Sequence, residues 1–214
     1  HTPALTDALK GVSRTLMHPY TSTYLAFAFV PSSIVVAGPH YRILFESYVG
    51  FSILQSRPHE IWARFFSSSL KDDLSYTPSD CFETFPFPSA WNTDANLEAV
   101  GKEYYEFRSA VMIRNDQGLT KTYNRFHDRD ETSPDIIRLR ALHDAMDRAV
   151  LDAYGWTDLR PSCEFLLDYE DEVDEDDDAG RTRQRKKPWR YRWPDDIRDE
   201  VLARLLALNQ TRAA

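Results

Sequence analysis

With 214 residues, 42% of them hydrophobic and 13% aromatic, the chain carries enough apolar material to bury a core, which excludes disorder throughout. Its clearest apolar run, Tyr24 to Val30, stops at Pro31, short of the roughly 20 residues of a membrane span; Cys81 and Cys163 are too far apart for a disulfide framework or a zinc site, so a reducing, cytoplasmic setting is expected. The net charge of −8 is uneven: nine of the 34 acids fall between Asp168 and Asp178, and the other 25 face 26 Lys and Arg, so charge neither excludes nor selects a nucleic-acid partner.

Leu5, Leu9, Val12 and Leu16 recur at helical spacing and predict a first helix over residues 3–17, closed by His18 and Pro19. Residues 24–30 and 34–36 read as two β segments joined through Pro31, Ser32 and Ser33. The stretch 47–68 has a dense apolar face interrupted at Pro58, which predicts two short helices or one kinked helix. Residues 74–88 mix aromatics with three prolines and suit extended segments. Beyond them, 94–115 and 135–156 are long helical patterns broken by Gly118, with Ser133 as N-cap and Gly155 as C-terminal stop; together they suggest a helical hairpin or bundle. The acidic run is followed by Arg181, Arg183, Arg185, Lys186 and Lys187, a composition that reads as a flexible linker. Trp189 to Trp193 reads as a strand with its three aromatics on one face, docked on the helical region, and Pro194 opens a last amphipathic helix.

Motifs for transfer chemistry are missing from this sequence. It has no GxGxxG, no GxxxxGK[ST], no Asn-Pro-Pro-Tyr and no HExxH. His127 with Asp128 and Asp130, and His143 with Asp144 and Asp147, are more simply solvated helix faces than metal ligands. No catalytic residue and no metal site are therefore assigned.

Two strings carry a resemblance. EIWARFFSSSLKDDLSYTPSDCFETFPFP (60–88), together with LTKTYNRFHD (119–128) and RLRALHDAMDRAVLDAYGW (138–156), resembles the C-terminal third of large adenine-specific DNA methyltransferases, including fused restriction-modification enzymes of the MmeI type and phage-defence methylases. The resemblance implies an α+β chain, with a small mixed α/β target-recognition domain over 1–91 and a helical domain over 92–167. A charged flexible linker would span 168–187, and a C-terminal strand and helix over 188–214 would dock on the helical domain. It further implies that S-adenosylmethionine and the flipped adenine are handled upstream by a catalytic domain of the same polypeptide, and that this fragment grips double-stranded DNA without transferring methyl groups. A nuclease or a second defence subunit is a further partner in this family, and binding such a protein through the helical half is the alternative function.

By position in the family, Lys71 and Asp73 would be base-reading residues. Two apart on an extended segment they share a face, Lys donating to guanine O6 or N7 and Asp accepting from cytosine N4; an ordinary charged turn is the competing reading. Arg57 and His59, flanking Pro58, and Arg42 upstream are expected at phosphates, although Arg57 and Arg64 could equally solvate an apolar helix. Lys121 and Arg125, four apart, could follow the DNA backbone or simply form a basic helix face. Tyr123 is expected to be a packed aromatic.

Overall fold

The computed structural model describes residues 7–35, 38–67, 73–167 and 189–213. The chain is α+β, as expected. Strand β1 (Arg14–Pro19) is the centre of a three-stranded antiparallel sheet between β3 (Ala28–Pro31) and β4 (His40–Ile43). Short β2 (Thr21–Ser22) pairs with β5 (Leu74–Ser75), and β6 (Glu164–Leu167) pairs with β7 (Trp189–Arg192). Among the described residues the α-helices are α1 (Tyr48–Gln55), α2 (Arg57–Phe66), α3 (Ala95–Arg114), α4 (Leu119–His127), α5 (Pro134–Ala153) and α6 (Asp195–Ala213).

The first expected helix is corrected over its second half: Asp7 and Ala8 are helical, residues 3–6 lie outside the described residues, and the chain turns at residues 9–11. Residues 14–17 belong to β1, whose Leu16 and His18 point into the core while Thr15 lies on the other face. The apolar set that matched a 3.6 period there is sparse. β3 pairs with Arg14–Met17 and β4 with Leu16–Pro19, so β1 has partners on both sides at Leu16 and Met17, a tertiary gain that local periodicity does not register. The second expected β segment is also displaced: Ile34 and Val35 lie outside any strand, and the partner of β1 is His40–Ile43.

The helical breaks follow their local chemistry. Ser56 is extended between α1 and α2, and Pro58 sits in the first turn of α2, where a missing N–H removes no helical bond. Helix α5 stops at Gly155, which adopts φ +77° while Trp156 N–H donates to Leu151 O at 3.0 Å, the left-handed stop for which glycine is suited. Helices α1 and α3 approach closely because position 101 is glycine: a Cβ there would lie 2.6 Å from Tyr48 O. Across this contact Ser52 Oγ donates to Leu97 O at 2.7 Å and Val49 N–H to Glu98 Oε2 at 2.9 Å.

Two cores result, and each draws on both sides of residue 91. In the first, Leu16, Phe27 and Tyr76 pack with Tyr104, Phe126 and Met146. In the second, Ile53, Trp62 and Phe85 pack with Leu97, Val150, Trp193 and Leu205. Residue 91 therefore marks a change of element type with continuous packing across it. The charged stretch 168–187 lies outside the described residues.

Candidate nucleic-acid interface

Strands β3 and β4 both run antiparallel to β1, so the chain leaves β3 beside Arg14 and re-enters the sheet beside Pro19. Arg42 pins the start of this connection. Its Nε donates to Thr15 Oγ1 at 3.0 Å, Nη1 to Ile34 O at 2.9 Å and Nη2 to Pro31 O at 2.8 Å. Three of the guanidinium donors of Arg42, which is expected at a phosphate, thus meet two backbone carbonyls and the buried Thr15 hydroxyl. The loop it braces exposes Ile34 and Val35.

The segment after β2 is held from both sides. Thr23 Oγ1 donates to Asp73 Oδ1 at 3.0 Å, extending the β2–β5 pairing by one residue on each strand. Tyr24 is fixed by its hydroxyl, which donates to Asn124 Oδ1 at 2.8 Å, and by its ring, stacked on His127 at 5.0 Å and 8°. The Arg190 guanidinium lies 4.8 Å over the same ring. Asp73 is exposed, and Lys71 lies outside the described residues.

Arg57 and His59 are corrections. Arg57 is 4% exposed; its guanidinium is ion-paired with Asp147 and within 3.4 Å of Asp144, and Nη2 donates to Tyr191 O at 3.2 Å. Its backbone N–H also donates to Asp147 Oδ1 at 2.8 Å. Burial opposes ionisation of Asp147, yet neighbouring His143 and Arg57 outweigh it and hold the carboxyl below the usual carboxylate range. The solvated-face reading of His143 and Asp147 fails for the same reason: both are buried, and a buried carboxylate requires such partners.

His59 is fully buried against Tyr76 and Phe85, its Nε2 3.0 Å from Tyr76 Oη. Burial pushes its pKa down to about 3, with His18 adding to the effect. Burial likewise takes His18 to about 4, against hydrogen bonds to the Pro19 and Tyr24 carbonyls. Both folded values lie below the unfolded value, so acid protonates the unfolded chain first. The stability from keeping these rings neutral is complete above about pH 6.5 and declines as pH falls toward 4 and then 3. Between pH 7 and 5 the loss is about 2 kcal/mol per histidine. Urea denaturation at the two pH values measures it, and an unchanged midpoint would contradict the burial of both rings.

Helix α4 carries Lys121 on its exposed side and Arg125 half-buried. Arg125 is committed to the start of α5: Nε donates to Glu131 Oε2 at 2.7 Å and Nη2 to Ser133 Oγ at 2.8 Å, and Nη2 lies 3.4 Å from Asp135 Oδ1. Hydrogen bonds from Arg125 and Ser133 hold the Glu131 carboxyl at about 2. Arg125, expected along the DNA backbone, thus joins α4 to the start of α5. Tyr123 is packed, as expected, and its hydroxyl meets those of Tyr104 at 2.8 Å and the buried Arg108 guanidinium at 3.0 Å.

The Trp-Arg-Tyr-Arg-Trp strand docks as expected, with Tyr191 against Phe126 and Trp193 buried in the second core. What the sequence reading missed is a cleft beside β7, where Arg190 and Arg192 join Arg57, Arg64, Arg198 and His127, with Glu60, Tyr191 and Trp193 also in its lining. Among the described residues no cluster of His, Cys, Asp and Glu could hold a metal ion, and no helix is long and apolar enough to cross a membrane.

Residues 15–89 match the family model for the MmeI target recognition domain. The chain is 26% identical over 137 residues to DNA methyltransferase A of Bacillus subtilis (strain 168), covering 61% of this chain and 14% of that protein. Among solved structures it is similar to the Type IIL restriction-modification enzyme MmeI in complex with DNA, with a TM-score of 0.54 and 17% identity over 93% of this chain and 21% of that one. At that identity the structural likeness is one of fold. The chain spans a small part of either relative. The stretch that matches the target recognition domain runs from the second residue of β1 through the Phe-Pro-Phe-Pro segment.

Proposed function

We propose that this chain reads and grips duplex DNA on behalf of an S-adenosylmethionine-dependent, adenine-specific DNA methyltransferase of the restriction-modification kind, and that methyl transfer belongs to a catalytic domain elsewhere in a longer polypeptide. The observation that carries the reading is the match of residues 15–89 to a target recognition domain. The fold likeness over 93% of the chain to an enzyme described in complex with DNA supports it. In this reading Asp73 accepts from a base amino group, Lys71 donates to the paired base and Lys121 meets the backbone. Arg57, His59, Arg42 and Arg125 hold the scaffold.

Electrophoretic binding of the chain to random duplex DNA over a salt series tests the reading. Each phosphate contact lowers log K with a slope of about −0.9 in log salt, so two or more contacts weaken binding roughly tenfold or more between 50 and 200 mM salt. Absent binding at low salt, or a slope near zero, would sink the DNA reading. Methylation of DNA by the pure chain supplied with S-adenosylmethionine would overturn the division of labour instead.

A further inference from the structure

The exposed carboxylate of Asp73 is oriented by the protein. Thr23 Oγ1 donates to Asp73 Oδ1 at 3.0 Å, and Thr23 itself has little freedom. On one side Ser22 is paired with Leu74 in the β2–β5 ladder, and Ser22 Oγ donates to Tyr24 O at 2.9 Å. On the other, Tyr24 is held by Asn124, by the stacked His127 ring and by the Arg190 guanidinium over its ring. We infer that Thr23 is a specificity-determining positioning residue: its hydroxyl fixes the Asp73 carboxylate so that Oδ2 is presented to an exocyclic amino group, N4 of cytosine or N6 of adenine, in the major groove of duplex DNA.

The inference rests on the DNA-reading role proposed above and adds what makes that role selective. An exposed aspartate without a fixed partner samples several rotamers and loses that freedom on binding. It is also an acceptor that can meet any donor within reach. With Oδ1 engaged by Thr23, the carboxylate plane is set, and only a base whose amino group lies in that plane gains the hydrogen bond. A carboxylate accepts and does not donate at neutral pH, so guanine O6 and thymine O4 are disfavoured at the same point.

The test is selection of duplexes from a randomised library by the full chain at low salt, using wild type, Asp73→Asn, Thr23→Val and Thr23→Ser. Asp73→Asn alters the preferred base at one position of the selected site. Thr23→Val, which keeps the shape and removes the hydroxyl, reduces the preference at that same position about threefold to tenfold. Thr23→Ser restores the preference, which a merely packing role for Thr23 would not require. If Asp73→Asn changes the site and Thr23→Val leaves it intact, the positioning role is wrong while the reading of Asp73 stands. If Asp73→Asn changes nothing, or no DNA is selected at all, the DNA reading of this segment falls and the inference falls with it.

Discussion

Arg57→Ala lowers the unfolding free energy by about 3–5 kcal/mol at pH 7, the cost of leaving one member of a buried ion pair without its partner. The abandoned group is Asp147, which receives both the guanidinium and the backbone N–H of Arg57 and is 2% exposed. The pH dependence identifies the mechanism. In the wild type, Arg57 and His143 outweigh burial and depress the Asp147 pKa, so the stability contributed by its charge is present above the unfolded carboxylate value and lost as pH falls through the lower folded one. Without Arg57 burial pushes that pKa up, so the destabilisation shrinks as acid allows Asp147 to become neutral. Replacing both partners, Arg57→Met with Asp147→Leu, recovers most of the loss, because two apolar groups of similar size remove the desolvation cost along with the attraction. Denaturant midpoints of the three proteins at pH 7 and 5 give the comparison. A single variant with the wild-type midpoint would mean that the pair contributes nothing.

Trp62→Ala costs a further class of interaction, about 3–5 kcal/mol of transfer and cavity energy. Trp62 is completely buried in the second core, its ring centroid 4.6 Å from Phe66 and 6.0 Å from Phe85, and its indole N–H donates to Thr84 Oγ1 at 3.1 Å. It thus ties α2 to the segment that ends in Phe-Pro-Phe-Pro. Trp62→Phe should lose less, since it retains an aromatic ring and gives up the hydrogen bond and part of the volume. Thermal unfolding ranks the three proteins, at roughly 2–4 °C per kcal/mol for a chain of this size. Equal losses for Phe and Ala would assign the role of Trp62 to its N–H alone.

Both residues show where tertiary packing overrides local reading. Arg57 beside Pro58 had the composition of an exposed helix start, and the guanidinium of an isolated helix would be solvated. Its actual partner, Asp147, is 90 positions away, on a helix whose own charged residues read as a solvated face. Neither member reveals the other: each is polar at a position that periodicity counts as surface, and only their meeting makes burial possible. His59 differs, being buried among aromatics as a neutral ring. Arg42 and Arg125 carry five donors each, and carbonyls, hydroxyls and carboxylates of neighbouring segments engage several of them.

From its order of residues alone, the chain determined the long helices α3 and α5, the break between α1 and α2, the glycine stop at Gly155 and the docking strand Trp189–Arg192. Each depends on interactions within a few residues, such as caps, proline geometry and alternation, and the paired strings at 60–88 and 119–156 pointed to the target-recognition family. Tertiary structure alone decided that residues 14–19 form the central strand of a sheet, since that strand is satisfied by neighbours at 28–31 and 40–43. It also decided that both cores cross residue 91 and that Thr23 meets Asp73 across 50 positions. The physical reason is common to all three: pairing, burial and the orientation of one polar group by another depend on distance in space, and a local pattern in the chain contains no information about which distant segment arrives there.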